Sequence, residues 1–109
     1  MRQEHNKLVR DRIPDIIRQA GKQCAVHPMT EVEFGQALRE KLVEEAQEVA
    51  AASPEDLVNE LADLQEVIDA VLELHEIEPE TVNTEQKRKR SERGGFEQRL
   101  RLLWTKSLD

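Results

Sequence analysis

The feature that most constrains this chain is a carboxylate in the wrong place. Between Leu38 and Asp63 the sequence reads LREKLVEEAQEVAAASPEDLVNELAD. Leu38, Leu42 and Val49 recur at helical spacing, and the position that should complete the stripe holds Glu45. Residues three apart share a helix face, so Glu48 neighbours Glu45. Glu60 has a similar address, flanked by Leu57, Leu64, Val67 and Val71, with Asp63 three positions on. A charge in a core-facing stripe is costly unless it is paired or metal-bound. The ordinary reading of a Glu-rich helix is a solvated face. The stripe position, and the repeat of the spacing on a second segment, argue against that reading here.

Ser53-Pro54-Glu55-Asp56 separates the two segments. An N-cap residue, an N1 proline and first-turn acids predict a helix stop followed at once by a new start. A connection this short makes the helices antiparallel and sets the two acidic pairs opposite each other. Four carboxylates so placed repel, and a hard cation relieves them. An all-oxygen ligand set suits Mg²⁺ or Mn²⁺ rather than zinc. Mg²⁺ keeps open positions that phosphates complete, so a nucleotide is the natural second ligand.

The rest of the chain predicts an all-α fold. Its core is an antiparallel long-helix pair of four-helix-bundle type, completed by oligomerisation, with a short extended terminal segment. A first helix runs from Pro14 to about Ala20 and stops at Gly21. Thr30 with Glu33 forms a capping box opening a helix to about Ala51. The third helix runs from Pro54 to about His75, with Leu57, Leu61, Leu64, Ile68, Val71 and Leu72 as its core stripe. Pro79 opens a polar, basic fourth helix ending near Arg93 at Gly94-Gly95. In the tail FEQRLRLLWTKSLD, helical and alternating patterns compete, and an extended conformation packed on the domain or a partner is favoured.

At 109 residues the chain suits one domain, 1–109, and aromatics are only 3%, so the core is aliphatic. The net charge of −7 argues against a nucleic-acid polymer as partner. Cys24 is the only cysteine, which excludes an intrachain disulfide and fits a reducing cytoplasm. No apolar run reaches the roughly 18 residues of a membrane span, and MRQEHNKLVR is too polar for a signal peptide. His5, His27 and His75 lack metal-ligand spacing. Apolar residues on the long helices, including Val43 and Val58, exceed what one partner helix can cover, which predicts a homo-oligomer.

E-E-x-x-E followed by E-x-x-D resembles the metal-binding signature of the MazG-like all-α nucleoside triphosphate pyrophosphohydrolases. KLVRDRIPDII at 7–17 and KRSERGGFEQR at 89–99 resemble one branch of it, the house-cleaning pyrophosphatases, rather than the phosphoribosyl-ATP pyrophosphohydrolases of histidine synthesis. The resemblance implies Mg²⁺-dependent hydrolysis of a nucleoside triphosphate to a monophosphate and pyrophosphate. Glu45, Glu48, Glu60 and Asp63 would hold the metal, and Glu44 with Glu45 would serve catalysis. It also implies a dimer or tetramer with sites near subunit boundaries.

The basic run Lys87, Arg88, Lys89, Arg90 and Arg93 reads either as a solubilising face or as a source of phosphate ligands. The resemblance to the house-cleaning branch, whose K-x-x-x-R-G-G-F pattern matches Lys89, Arg93, Gly94, Gly95 and Phe96, implies Lys89 and Arg93 as the candidates; the guanidinium of Arg93 suits phosphate and Gly94-Gly95 permits close backbone approach. Lys7 and Arg10 are further phosphate candidates, although Arg10 and Asp11 would also make a local ion pair. Lys41 reads as a salt-bridge partner of the acidic face, ahead of the alternative that it touches phosphate. The rival to an enzyme is a non-catalytic helical module whose acids are merely solvated.

Overall fold

The computed structural model describes residues 1–108. Its order is α1 (Ile13–Gln19), α2 (Glu31–Ala51), α3 (Leu57–Leu74) and α4 (Pro79–Arg93), with no strand among the described residues. The fold class is all-α, as the sequence predicts. The chain divides into two compact units, Met1–Glu76 and Ile77–Asp109.

In the first unit, α2 opens as its sequence dictates. The Thr30 side chain accepts from the Glu33 backbone N–H, and the Glu33 carboxylate accepts from the Thr30 N–H at 2.9 Å. This reciprocal pair satisfies two otherwise orphaned donors and holds the Glu33 carboxyl below its ordinary value. Gly21 follows α1 at φ 82, the left-handed conformation expected of a C′ glycine.

α2 and α3 pack antiparallel. Gly35 near the start of α2 lies close to Leu74 at the end of α3, where an added Cβ would sit 3.4 Å from the leucine Cδ2. At the opposite end, Glu45 and Glu48 approach Glu60 and Asp63. Leu38 and Val67 are the buried hydrophobic residues of this pairing. Half-buried Phe34, Leu42, Val49, Leu64, Ile68, Val71 and Leu72 surround them.

Two expectations are corrected. α3 starts at Leu57, not Pro54, because Ser53 to Asp56 form a separate turn. The Asp56 N–H donates to the Ser53 carbonyl at 3.0 Å, and the Ser53 hydroxyl is 3.2 Å from the Asp56 carboxylate. Ser53 therefore stabilises the turn rather than capping the helix. Leu57 and Leu61 also do not belong to the core stripe. They are 38% and 45% exposed, because the face of α3 turned to α2 runs through Glu60, Asp63, Leu64 and Val67.

In the second unit, α4 begins with Pro79 in its first turn and ends at Gly94, whose φ of 82 and ψ of 175 suit glycine. Arg88 bridges Glu85 and Glu92 along the helix, and Arg90 pairs with Glu97 beyond its end. The tail has no regular structure past a turn at Glu97 and Gln98. Phe96, Leu100, Leu102, Leu103 and Trp104 are exposed.

Candidate metal and phosphate site

The register of α2 against α3 brings three of the four expected metal ligands together. Glu45, Glu60 and Asp63 each offer a carboxylate oxygen within 4.8 Å of the others. Glu45 is 7% exposed, the one buried charged residue among those described. Its Oε2 and the Oε2 of Glu60 are buried without a hydrogen-bond partner. Orphaned buried acceptors are rare in native folds, because each forfeits its hydration without replacement. Burial, then the neighbouring Glu48 charge, raises the Glu45 carboxyl above its ordinary value. Glu60 is raised in the same direction by the same two causes and by Asp63. Glu48 therefore stands beside both, but it is exposed and lies outside the compact trio.

This donor set fits a divalent cation. It is all oxygen, it is negatively charged, and two of its buried oxygens meet no hydrogen-bond donor, having only the neighbouring Glu48 carboxyl beside them. A purely solvated acidic face would leave no such buried orphans. Among the described residues no histidine or Cys24 joins a comparable cluster. Cys24 is half-buried, with its thiol 3.7 Å from the Pro14 carbonyl.

Glu44, the candidate water-activating residue, is 42% exposed in its side chain and accepts from Lys41 Nζ at 3.5 Å. The same ammonium lies 3.7 Å from Glu45 Oε1, so Lys41 is a salt-bridge partner of the acidic face, as expected. Lys7 lines a cleft of about 120 Å³ together with Leu8, Met29, Lys41 and Glu44. Arg10 departs from its expected local pairing with Asp11. Its guanidinium donates instead to Asp63 Oδ1 at 2.8 Å. Sequence reading missed this contact, because nothing in KLVRDRIP specifies a partner 53 positions away. Lys89 and Arg93 lie exposed on α4 in the second unit, and neither makes a salt bridge among the described residues.

The fold and this cluster define a class: an all-α protein whose long antiparallel helices face each other through carboxylates suited to a divalent cation. The phosphoribosyl-ATP pyrophosphohydrolase family model matches residues 14–90, and the chain belongs to that family, within the MazG-like all-α superfamily. The match spans α1 to most of α4. It leaves most of 7–17 and 89–99, the stretches resembling the house-cleaning branch, outside its bounds.

The chain is also similar to an uncharacterized protein of Mycolicibacterium smegmatis. The two are 42% identical over 50 residues, which cover 46% of this chain and 51% of the other. The match thus spans about half the length of that relative. No solved structure matches the chain significantly. No helix among the described residues is long and apolar enough to cross a membrane.

Proposed function

We propose that this protein is a Mg²⁺-dependent pyrophosphohydrolase that cleaves a nucleoside triphosphate to the monophosphate and pyrophosphate. The observation that carries the reading is the pair of buried, unpartnered oxygens on Glu45 and Glu60 beside Asp63. Family membership supports the reaction class. Glu45, Glu60 and Asp63 hold the cation, Mg²⁺ or Mn²⁺, with Glu48 beside them. Held there, the cation would supply Lewis acidity toward the phosphate and the attacking water. Glu44, exposed enough to meet solvent, takes the proton of the attacking water. Lys41 holds the Glu44 and Glu45 carboxylates in place. As the new P–O bond forms at the α-phosphorus, the α–β anhydride bond breaks and pyrophosphate leaves. Lys7 and Arg10 are the cations that the first unit offers to the phosphates, and Lys89 and Arg93 are the further candidates that the house-cleaning pattern implies.

The stretches at 7–17 and 89–99 favour house-cleaning of noncanonical nucleotides. The matched family favours a second reading, phosphoribosyl-ATP as substrate. A hydrolysis panel of canonical, damaged and phosphoribosylated nucleotides with Mg²⁺, followed by ³¹P NMR, separates the two. Pyrophosphate from phosphoribosyl-ATP alone would replace the house-cleaning reading, and no pyrophosphate from any member would remove the enzymatic one.

In the proposal each chain is one domain, 1–109, and the active unit is a homo-oligomer in the cytoplasm. Val43, Leu57, Val58 and Leu61 are 58%, 38%, 79% and 45% exposed on the long helices, an apolar surface that a second copy would cover. Light scattering at micromolar concentration tests this, and a strictly monomeric, active species would exclude it.

A further inference from the structure

Arg10–Asp63 is an unusual contact in this molecule. Among the described residues it is the one side-chain hydrogen bond joining positions more than ten apart, and it ends on a member of the carboxylate trio. The backbone on the arginine's side is anchored. Leu8, Val9 and Ile13 are half-buried, and the Ile13 N–H donates to the Arg10 carbonyl at 3.1 Å. The Arg10 side chain is not enclosed: it is 56% exposed, against 37% for Asp63. The other cation at the cluster, Lys41, is 20% exposed and engaged by Glu44 and Glu45. Arg10 is therefore the one of the two that is free to change partner without repacking.

We propose that Arg10 is a transferable counterion, which neutralises Asp63 while the cluster holds no cation and passes to substrate phosphate when a divalent cation binds Asp63. The proposal rests on the cation site argued above. A guanidinium and a divalent cation sharing one carboxylate repel each other at short range. An exposed ion pair is weak, so Arg10 is the partner that yields. Triphosphate on the cation then offers oxygens whose geometry the guanidinium fork matches bidentately. The swing ties substrate capture to a loaded cation site.

The test is a pair of affinities. Mn²⁺ is titrated calorimetrically into wild type and Arg10→Gln. A non-hydrolysable α,β-methylene nucleoside triphosphate is then titrated into each with saturating Mg²⁺. Removing the competitor should tighten Mn²⁺ about twofold to fivefold, the value of one exposed pair. Removing the phosphate ligand should weaken the triphosphate by roughly tenfold or more. The signs are opposite, whereas a merely structural Arg10 would weaken both. Looser or unchanged Mn²⁺, or unchanged triphosphate affinity, overturns the proposal while wild-type Mn²⁺ binding leaves the cation site standing. No Mn²⁺ binding by wild type overturns both. Should Arg10→Gln fail to fold, ¹⁵N NMR of the wild-type Arg10 Nε–H, assigned with Arg10→Lys, decides. The resonance should move on adding Mg²⁺ and again on adding the analogue, and indifference to either overturns the swing.

Discussion

Replacing Glu45 with Gln should make the cation-free protein more stable and the cation-loaded protein less so. Glu45 is 7% exposed and its Oε2 has no partner, so ionisation inside the helix pair is unfavourable. An unsatisfied buried polar group costs about 1–3 kcal/mol, and more when charged. The amide removes the charge and the repulsion from Glu48. It also forfeits the 3.7 Å approach of Lys41, a loose pair whose loss costs at most about 1 kcal/mol. The net gain is about 1–2 kcal/mol, or an increase in Tm of roughly 4–8 °C for a domain of this size.

The pH dependence follows from the raised Glu45 carboxyl. Its folded pKa lies above its unfolded one, so the wild-type penalty is absent below the ordinary value of 4.5. It grows as pH rises through that value and is complete above the folded pKa. The advantage of the Glu45→Gln variant should therefore vanish in acid and grow as the pH rises above the ordinary carboxylate range. Calorimetric scans of both proteins at one concentration, at pH 4 and pH 7, in chelator and then with excess Mg²⁺, check each part. At about a hundred times its Kd, Mg²⁺ should add about 2.7 kcal/mol to wild type and little to the variant, reversing their order. A Glu45→Gln protein less stable than wild type in chelator at pH 7 would refute the claim that Glu45 is an uncompensated buried charge.

Three further substitutions test other parts of the account. Gly35→Ala should stabilise by about 0.5–1 kcal/mol, because a Cβ meets Leu74 only at ordinary contact distance and the helix gains rigidity; urea unfolding measures it. Glu76→Gly should add about 1 kcal/mol by the same assay, since Glu76 follows α3 in the left-handed conformation at φ 54. Arg93→Ala should raise KM for the triphosphate several-fold and leave Tm nearly unchanged, because Arg93 is exposed and makes no salt bridge among the described residues.

Much of this architecture was legible where local chemistry is unambiguous. Thr30 with Glu33, Gly21, Pro79 and Gly94 mark helix ends through backbone donors or left-handed φ, and each marks the end expected of it. Glu45 was legible as an anomaly because helical period alone places it among Leu38, Leu42 and Val49. Ser53-Pro54 misled by a few residues, since the same side chains serve a turn as well as a cap. Leu57 and Leu61 misled for another reason. Hydropathy says that a face is apolar, not which neighbour covers it, and α2 meets α3 on the acid-bearing side. The end of α3 falls where the sequence places it, near His75, although Glu76 occupies a position that glycine usually marks. Arg10–Asp63 is a tertiary event between an arm and a helix, so no local pattern could announce it.

The central claim is that the orphaned oxygens of Glu45 and Glu60, with Asp63, form a divalent-cation site. The most direct measurement is anomalous diffraction from crystals soaked in Mn²⁺. The account predicts one strong anomalous peak between α2 and α3, with oxygens of all three residues at about 2.1 Å, the spacing of a small hard cation. A peak confined to other carboxylates, or none there while Glu45 and Glu60 remain buried and unpartnered, would contradict it.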